Sequence, residues 1–218
     1  MSKNRITALL MIAGALLANI ALAGLGEVFN YPDILQSPPE LIMLAFVTRE
    51  SEIILLFTIL AVSAALLAPI AIMVDRLGGK RSLHTSAWVG IAAAAVQFIG
   101  LSRWLFIVPS LAAPADIETF ELSHKVLGTL VGETLGYALT GIWTVLILRR
   151  LGRLLAGKWF TGLGYSAAAL ILLGVLIPLG VPLVDFANFV GYVLWSIWLI
   201  AFGVILWRSG EDLRAIAV

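Results

Sequence analysis

Six long apolar runs divide the chain, at about residues 6–25, 53–74, 87–107, 126–148, 160–179 and 186–207. Each is close to the roughly 20 residues that a helix rising about 1.5 Å per residue needs to cross the hydrocarbon of a bilayer. The apolar positions run continuously rather than alternating every second residue, which argues for helices and against the strands of a membrane barrel. The pattern therefore predicts an all-α fold, a polytopic bundle of six transmembrane helices, in one transmembrane domain over residues 1–218. Ala21-Leu22-Ala23 fits a small-residue cleavage site at the end of the first run. That run is longer than a usual signal core, so it is read as the first span.

The polar segments between the runs are uneven. Glu27–Glu52 is the longest and carries Tyr31-Pro32-Asp33 and Ser37-Pro38-Pro39-Glu40, both turn or helix-start signals. Leu41–Phe46 is apolar but too short to span, which predicts a short helix lying at the outer surface or capping the bundle. Asp75–Ser86 reads as a basic turn, Pro109–Glu121 as an acidic loop and Arg149–Trp159 as a basic amphipathic connection. Pro69 lies inside the second span, where neighbouring helices must cover the carbonyl it frees.

Composition agrees with this reading: 61% of the residues are hydrophobic, 12% are charged and mean hydropathy is +1.04, about half the charge of a soluble domain. With the N-terminus inside and six crossings, every Lys and Arg of the 14 except Arg49, Arg103 and Lys125 falls on the inner side. That asymmetry predicts cytoplasmic N- and C-termini. Trp88, Trp104, Trp159 and Trp207 fall near the predicted interfaces, as an aromatic belt would, whereas Trp143, Trp195 and Trp198 lie deeper. A net charge of +1 gives no reason to expect nucleic acid. The bilayer itself is the partner that the composition demands.

Two charges stand inside this apolar frame. Arg103 lies about four residues from the outer end of the third span, roughly 6 Å deep, and Glu133 about seven residues into the fourth from the same side, roughly 10 Å deep. A lone charge at the bilayer centre costs about 2.5–3.5 kcal/mol on insertion scales, so the two are expected to pair. The same arithmetic leaves open a polar pocket that waits for a ligand. Gly128, Gly132 and Gly136 flank Glu133 as a small-xxx-small ladder, a packing device for a closely approaching helix. Tyr137 shares a face with Glu133, and Thr140 and Gly141 continue it. Gln97 from the third span, with Tyr192, Ser196 and Asn188 from the sixth, could add polar groups. The ligand-binding candidates are thus Arg103, Glu133, Tyr137 and Gln97.

The remaining chemistry is sparse. No cysteine is present, which excludes thiolate metal and iron–sulfur sites. His84 opens the third span at the inner face and His124 the fourth at the outer face, a bilayer apart, so a bis-histidine haem within one chain is excluded. Glu121-x-x-His124 has the spacing of helical di-iron ligands, but those sites need the motif twice and one copy exists. Glu121 and His124 are metal candidates on spacing alone, and an acidic rim with a capping histidine is the plainer reading.

Phe29-Asn30-Tyr31-Pro32-Asp33-Ile34-Leu35, Leu101-Ser102-Arg103-Trp104-Leu105 and Gly132-Glu133-Thr134-Leu135-Gly136, together with Trp143, resemble an uncharacterised family of bacterial integral membrane proteins, a domain of unknown function. The resemblance covers most of the chain and implies an inner-membrane protein of six or so helices. It brings no substrate, cofactor or catalytic residue. Three functions fit these residues: binding, with or without transport, of a small or amphipathic ligand in the outer half of the bundle; an assembly subunit docking through the glycine ladder and the Tyr31–Phe46 segment; and a membrane-embedded enzyme acting on a lipid or quinone.

Overall fold

In a computed structural model the chain is described at residues 2–78, 84–112 and 115–209, with the side chains of residues 78, 153 and 154 left aside. Six helical segments are long and apolar enough to cross a membrane, and no strand occurs among the described residues. The protein is a multi-pass membrane protein.

The helices run past their apolar cores into polar ends, where local chemistry stops them. Helix α1 (Lys3–Phe29) starts at Ser2, whose hydroxyl accepts the Arg5 amide at 3.4 Å. It ends at Asn30, which takes the left-handed conformation and returns its own amide to the last turn. A cis Tyr31–Pro32 bond and a 3₁₀ turn (Asp33–Gln36) lead to α2 (Pro39–Thr48), with proline at its first position. Helix α2 buries Ile42, Met43 and Phe46 against the bundle, as expected of a capping helix.

Helix α3 (Glu50–Asp75) and helix α4 (Thr85–Phe106) form the second and third spans. The segment expected to be an acidic loop is helical over much of its length: α5 covers Val108–Ala112 and α6 covers Ile117–Ser123. Asp116 makes the difference, because its carboxylate caps α6 by accepting the Thr119 amide at 3.1 Å. Helix α6 runs on through a π-helical stretch (His124–Leu135) into α7 (Gly136–Ile147) and a second π turn (Leu148–Gly152), giving 36 continuous residues, 117–152. Helix α8 (Arg153–Leu173) is broken at Ala156–Gly157, continues as a 3₁₀ segment to Leu179, and is followed by α9 (Val184–Arg208).

The spans close into a ring: α1 packs on α3, α3 on α4, α4 on the π stretch and α7, α7 on α8, α8 on α9, and α9 back on α1. Two apolar clusters fill it. One gathers Met11, Ile70, Trp143, Trp198 and Phe202 towards the end that carries Asp75. The other gathers Phe29, Phe46, Phe57, Trp104 and Phe120 towards the opposite end. Trp104 thereby departs from the belt position expected of it: it is fully buried, stacked on Phe57 at 4.8 Å with Phe29 edge-on at 5.2 Å, while Trp88, Trp159 and Trp207 are exposed. Helix α2 and the linker before it roof this end and cover the indole. Outside the ring, exposed Leu9, Leu16, Ile20, Leu55, Val62, Phe98 and Leu130 present the apolar surface that the bilayer must solvate.

Candidate functional site

Arg103, Gln97 and Glu133 lie on the elements that meet where α4 packs on the π stretch. The contact is close because glycine faces it from both sides. A Cβ on Gly132 would come within 2.9 Å of the Gly100 Cα, one on Gly136 within 2.8 Å of the Gln97 Cγ, and one on Gly128 within 2.7 Å of the Arg103 Cζ. The ladder therefore packs against α4, backbone on backbone at Gly100–Gly132. It also sets the site: with no side chain at Gly128, the Arg103 guanidinium lies against the opposing backbone. In the π stretch Thr134 Oγ1 donates to the carbonyl of Thr129, five residues back, at 2.8 Å. Such turns recur at functional sites.

Arg103 is 3% exposed. Its Nη1 donates to the Gly100 carbonyl at 2.6 Å, and its guanidinium carbon lies 5.1 Å from the Trp104 ring centroid. Its Nε is buried with no hydrogen-bond partner. The direct Arg103–Glu133 pair expected from depth is not closed: among the described residues, nitrogen–oxygen pairs within 4.0 Å join Arg49 to Glu52, His84 to Asp75 and Arg150 to Asp75, and no other charged groups. Arg103 and Glu133 are nevertheless near enough to feel each other's charge, as are Tyr31, Tyr137 and Tyr192. Glu133 and Tyr137 are each partly exposed.

Tyr137 meets Tyr192 edge-on at 5.7 Å, and Tyr192 meets Trp195 at 6.2 Å. The Tyr192 hydroxyl lies towards Thr140, but its geometry satisfies no hydrogen bond and it is left buried and unpartnered. Thr140 is instead engaged by Gln97, whose Nε2 donates to Thr140 Oγ1 at 3.0 Å and to the Ala93 carbonyl at 3.2 Å. Tyr31 reaches the cluster from the α1–α2 linker. Burial, reinforced by the Glu133 carboxylate and opposed by Arg103, pushes its phenol above the ordinary tyrosine range, so it remains a protonated donor.

Of the expected site residues, Arg103, Glu133 and Tyr137 converge, and Gln97 borders them through Thr140. Glu121 and His124 do not build a metal site with any third ligand: no group of three or more His, Cys, Asp or Glu comes together among the described residues. Glu121 is exposed, whereas the His124 ring stacks on Phe120 at 5.8 Å with Nδ1 buried and unpartnered, within reach of the Arg103 charge. Asn188 donates to the Ile171 carbonyl at 2.9 Å and so ties α9 to α8. Tyr31 escaped notice because nothing in a Tyr-Pro turn tells which way the ring points.

A second polar cluster lies at the other end of the ring. Asp75 is 1% exposed, and its Oδ1 accepts Ser86 Oγ at 2.8 Å and Arg150 Nη1 at 2.5 Å. Its Oδ2 accepts the His84 amide at 3.0 Å and faces His84 Nδ1 at 3.0 Å. Arg150 Nη2 also donates to the Asp75 carbonyl at 2.8 Å. All four lone-pair directions of the carboxylate are used, which makes this a latch joining α3, α4 and the fourth span. The signal for it was Asp75 itself, the one acidic residue in the basic segments on that side apart from Glu211 and Asp212.

Residues 6–203 match the family described as a domain of unknown function (DUF4386), and the chain belongs to that family. No curated protein and no solved structure matches it. Family membership assigns no role to any residue, so function rests on the site.

Proposed function

We propose that this protein binds a small or amphipathic ligand at the Arg103, Glu133, Tyr31, Tyr137 and Tyr192 cluster, in the outer half of the membrane. One observation carries the reading: Arg103 is 3% exposed yet makes one hydrogen bond and no ion pair among the described residues. A guanidinium offers five donors, and a buried charge left this short of partners is expensive unless something else supplies them. Intramembrane ionisable groups of this kind are functional candidates by default. The distribution of Lys and Arg supports placing the Asp75 end on the cytoplasmic side, and hence the cluster towards the outside. Transport of the ligand is an extension of the same reading.

Native mass spectrometry of the protein extracted in mild detergent tests it. Wild type should carry a non-protein adduct that Arg103→Gln loses while its secondary structure is retained. Absence of any adduct, or its full retention in the variant, refutes the reading.

An assembly role has one surface feature in its favour. Leu41, Leu44 and Val47 form an exposed apolar stripe on α2, opposite the face that packs on the bundle. Gentle extraction followed by mass photometry separates the two: a stable oligomer or co-purifying subunit supports assembly.

A further inference from the structure

We infer that the ligand is a zwitterion, with its anionic group on Arg103 and its ammonium on Glu133; this rests on the binding role proposed above. The two charges lie within electrostatic range of each other without closing an ion pair, and each has its own incomplete environment. On one side stand the unpartnered Nε of Arg103 and the unpartnered Nδ1 of His124, both buried and mutually near enough to interact. Neither nitrogen finds a hydrogen-bond partner among the described residues. With no side chain at Gly128 the guanidinium lies against the opposing backbone, and the hydrogen bond from its Nη1 to the Gly100 carbonyl holds it in place. A fixed planar fork of this kind suits a carboxylate or phosphate.

On the other side Glu133 accepts no hydrogen bond and closes no ion pair among the described residues, while part of its surface remains open. Tyr31, Tyr137 and Tyr192 all lie within electrostatic range of it, with Tyr137 and Tyr192 ring to ring. A carboxylate set among aromatic rings is the recognised environment for an ammonium or alkylated ammonium group. A purely anionic ligand would satisfy Arg103 and be repelled by Glu133; a purely cationic one would meet the reverse. A molecule carrying both charges a few bonds apart satisfies both, and it keeps the occupied site neutral in a low-dielectric setting. Two sources share this chemistry: a phospholipid with an amino headgroup and a free small zwitterion.

The test uses the full chain in neutral maltoside detergent, with binding followed by intrinsic tryptophan fluorescence and thermophoresis. The probes are dioctanoyl-phosphatidylethanolamine, dioctanoyl-phosphatidylglycerol, dioctanoylglycerol and glycine betaine. The zwitterionic lipid should bind at least about tenfold more tightly than the anionic and neutral lipids of equal chain length, the discrimination expected from one charge-assisted contact. Glu133→Gln should abolish that preference by weakening the ethanolamine lipid alone, and Glu133→Asp should restore part of it. Saturable binding of glycine betaine without the lipids assigns the site to a free zwitterion, and the converse assigns it to a headgroup; either supports the inference. Equal affinity for the zwitterionic and anionic lipids in wild type overturns it and leaves ligand binding standing. Failure of every probe also overturns it, and the native mass adduct then decides separately whether the binding role survives. The wild-type preference order needs no variant to fold.

Discussion

Asp75→Ala is the perturbation whose cost the structure lets one work out. The substitution removes a carboxylate that holds Ser86 Oγ, the His84 amide and ring, and Arg150 Nη1, and it leaves the Arg150 contact with the Asp75 backbone carbonyl intact. Breaking a fully buried ion pair costs about 3–5 kcal/mol. Here one partner is sheltered and the other less so, since Asp75 is 1% exposed while Arg150 and His84 side chains are 24% and 31% exposed. Water can therefore re-solvate Arg150 and His84 in the variant, but less readily the buried Ser86 hydroxyl. Discounting for that gives about 3 kcal/mol, of which the neutral hydrogen bonds supply about 1 kcal/mol each. On the scale of a soluble domain of this size, where 1 kcal/mol moves Tm by about 2–4 °C, the midpoint should fall by about 6–12 °C. Tryptophan-monitored thermal unfolding in detergent measures it. The double variant with Arg150→Met should cost less than the sum of the singles, by at least about 1 kcal/mol, because the two residues share one contact. Additive effects, or a midpoint within about 1–2 °C of wild type, would show that the latch does not hold the ring closed.

Two further outcomes follow from the geometry. Gly132→Ala places a methyl group 2.9 Å from the Gly100 Cα and should lower stability by about 1–3 kcal/mol, whereas Gly162→Ala, with nothing within 4 Å of its Cβ, should be neutral or slightly stabilising; comparison of their unfolding midpoints checks the pair. Because the chain has no native cysteine, a single cysteine at Ser37 should react with an impermeant maleimide in intact cells and one at Lys158 only after disruption, and the reverse pattern would overturn the proposed orientation.

Much of the fold was legible because a bilayer imposes a single, coarse demand. Any stretch that crosses must hide its backbone in a helix and show lipid an apolar surface, so six uninterrupted runs were enough to place six spans. Their ends were less legible, since helix caps are made by single side chains: Asp116 turns part of an expected loop into α6, and Asn30 carries α1 past its apolar run. Trp104 shows the same limit from another direction. Its depth in the sequence suited an interfacial belt, but α2 folds over it and buries it, and a linear pattern carries no record of what lies above a residue.

At the candidate site the sequence alone determined which residues were costly. A carboxylate and a guanidinium in apolar runs at similar depth stand out on composition and on the price of desolvation, with three glycines marking where a neighbouring helix comes close. Only the tertiary structure decided which helix that was, that Arg103 lies across Gly128 without closing on Glu133, and that Tyr31 and Tyr192 come within electrostatic range of Glu133. The reason is directional. Burial cost depends on residue type and depth, which a sequence carries, whereas a hydrogen bond or ion pair depends on a few tenths of an ångström and on the rotation of each helix about its axis, which are set by the packing of the whole bundle.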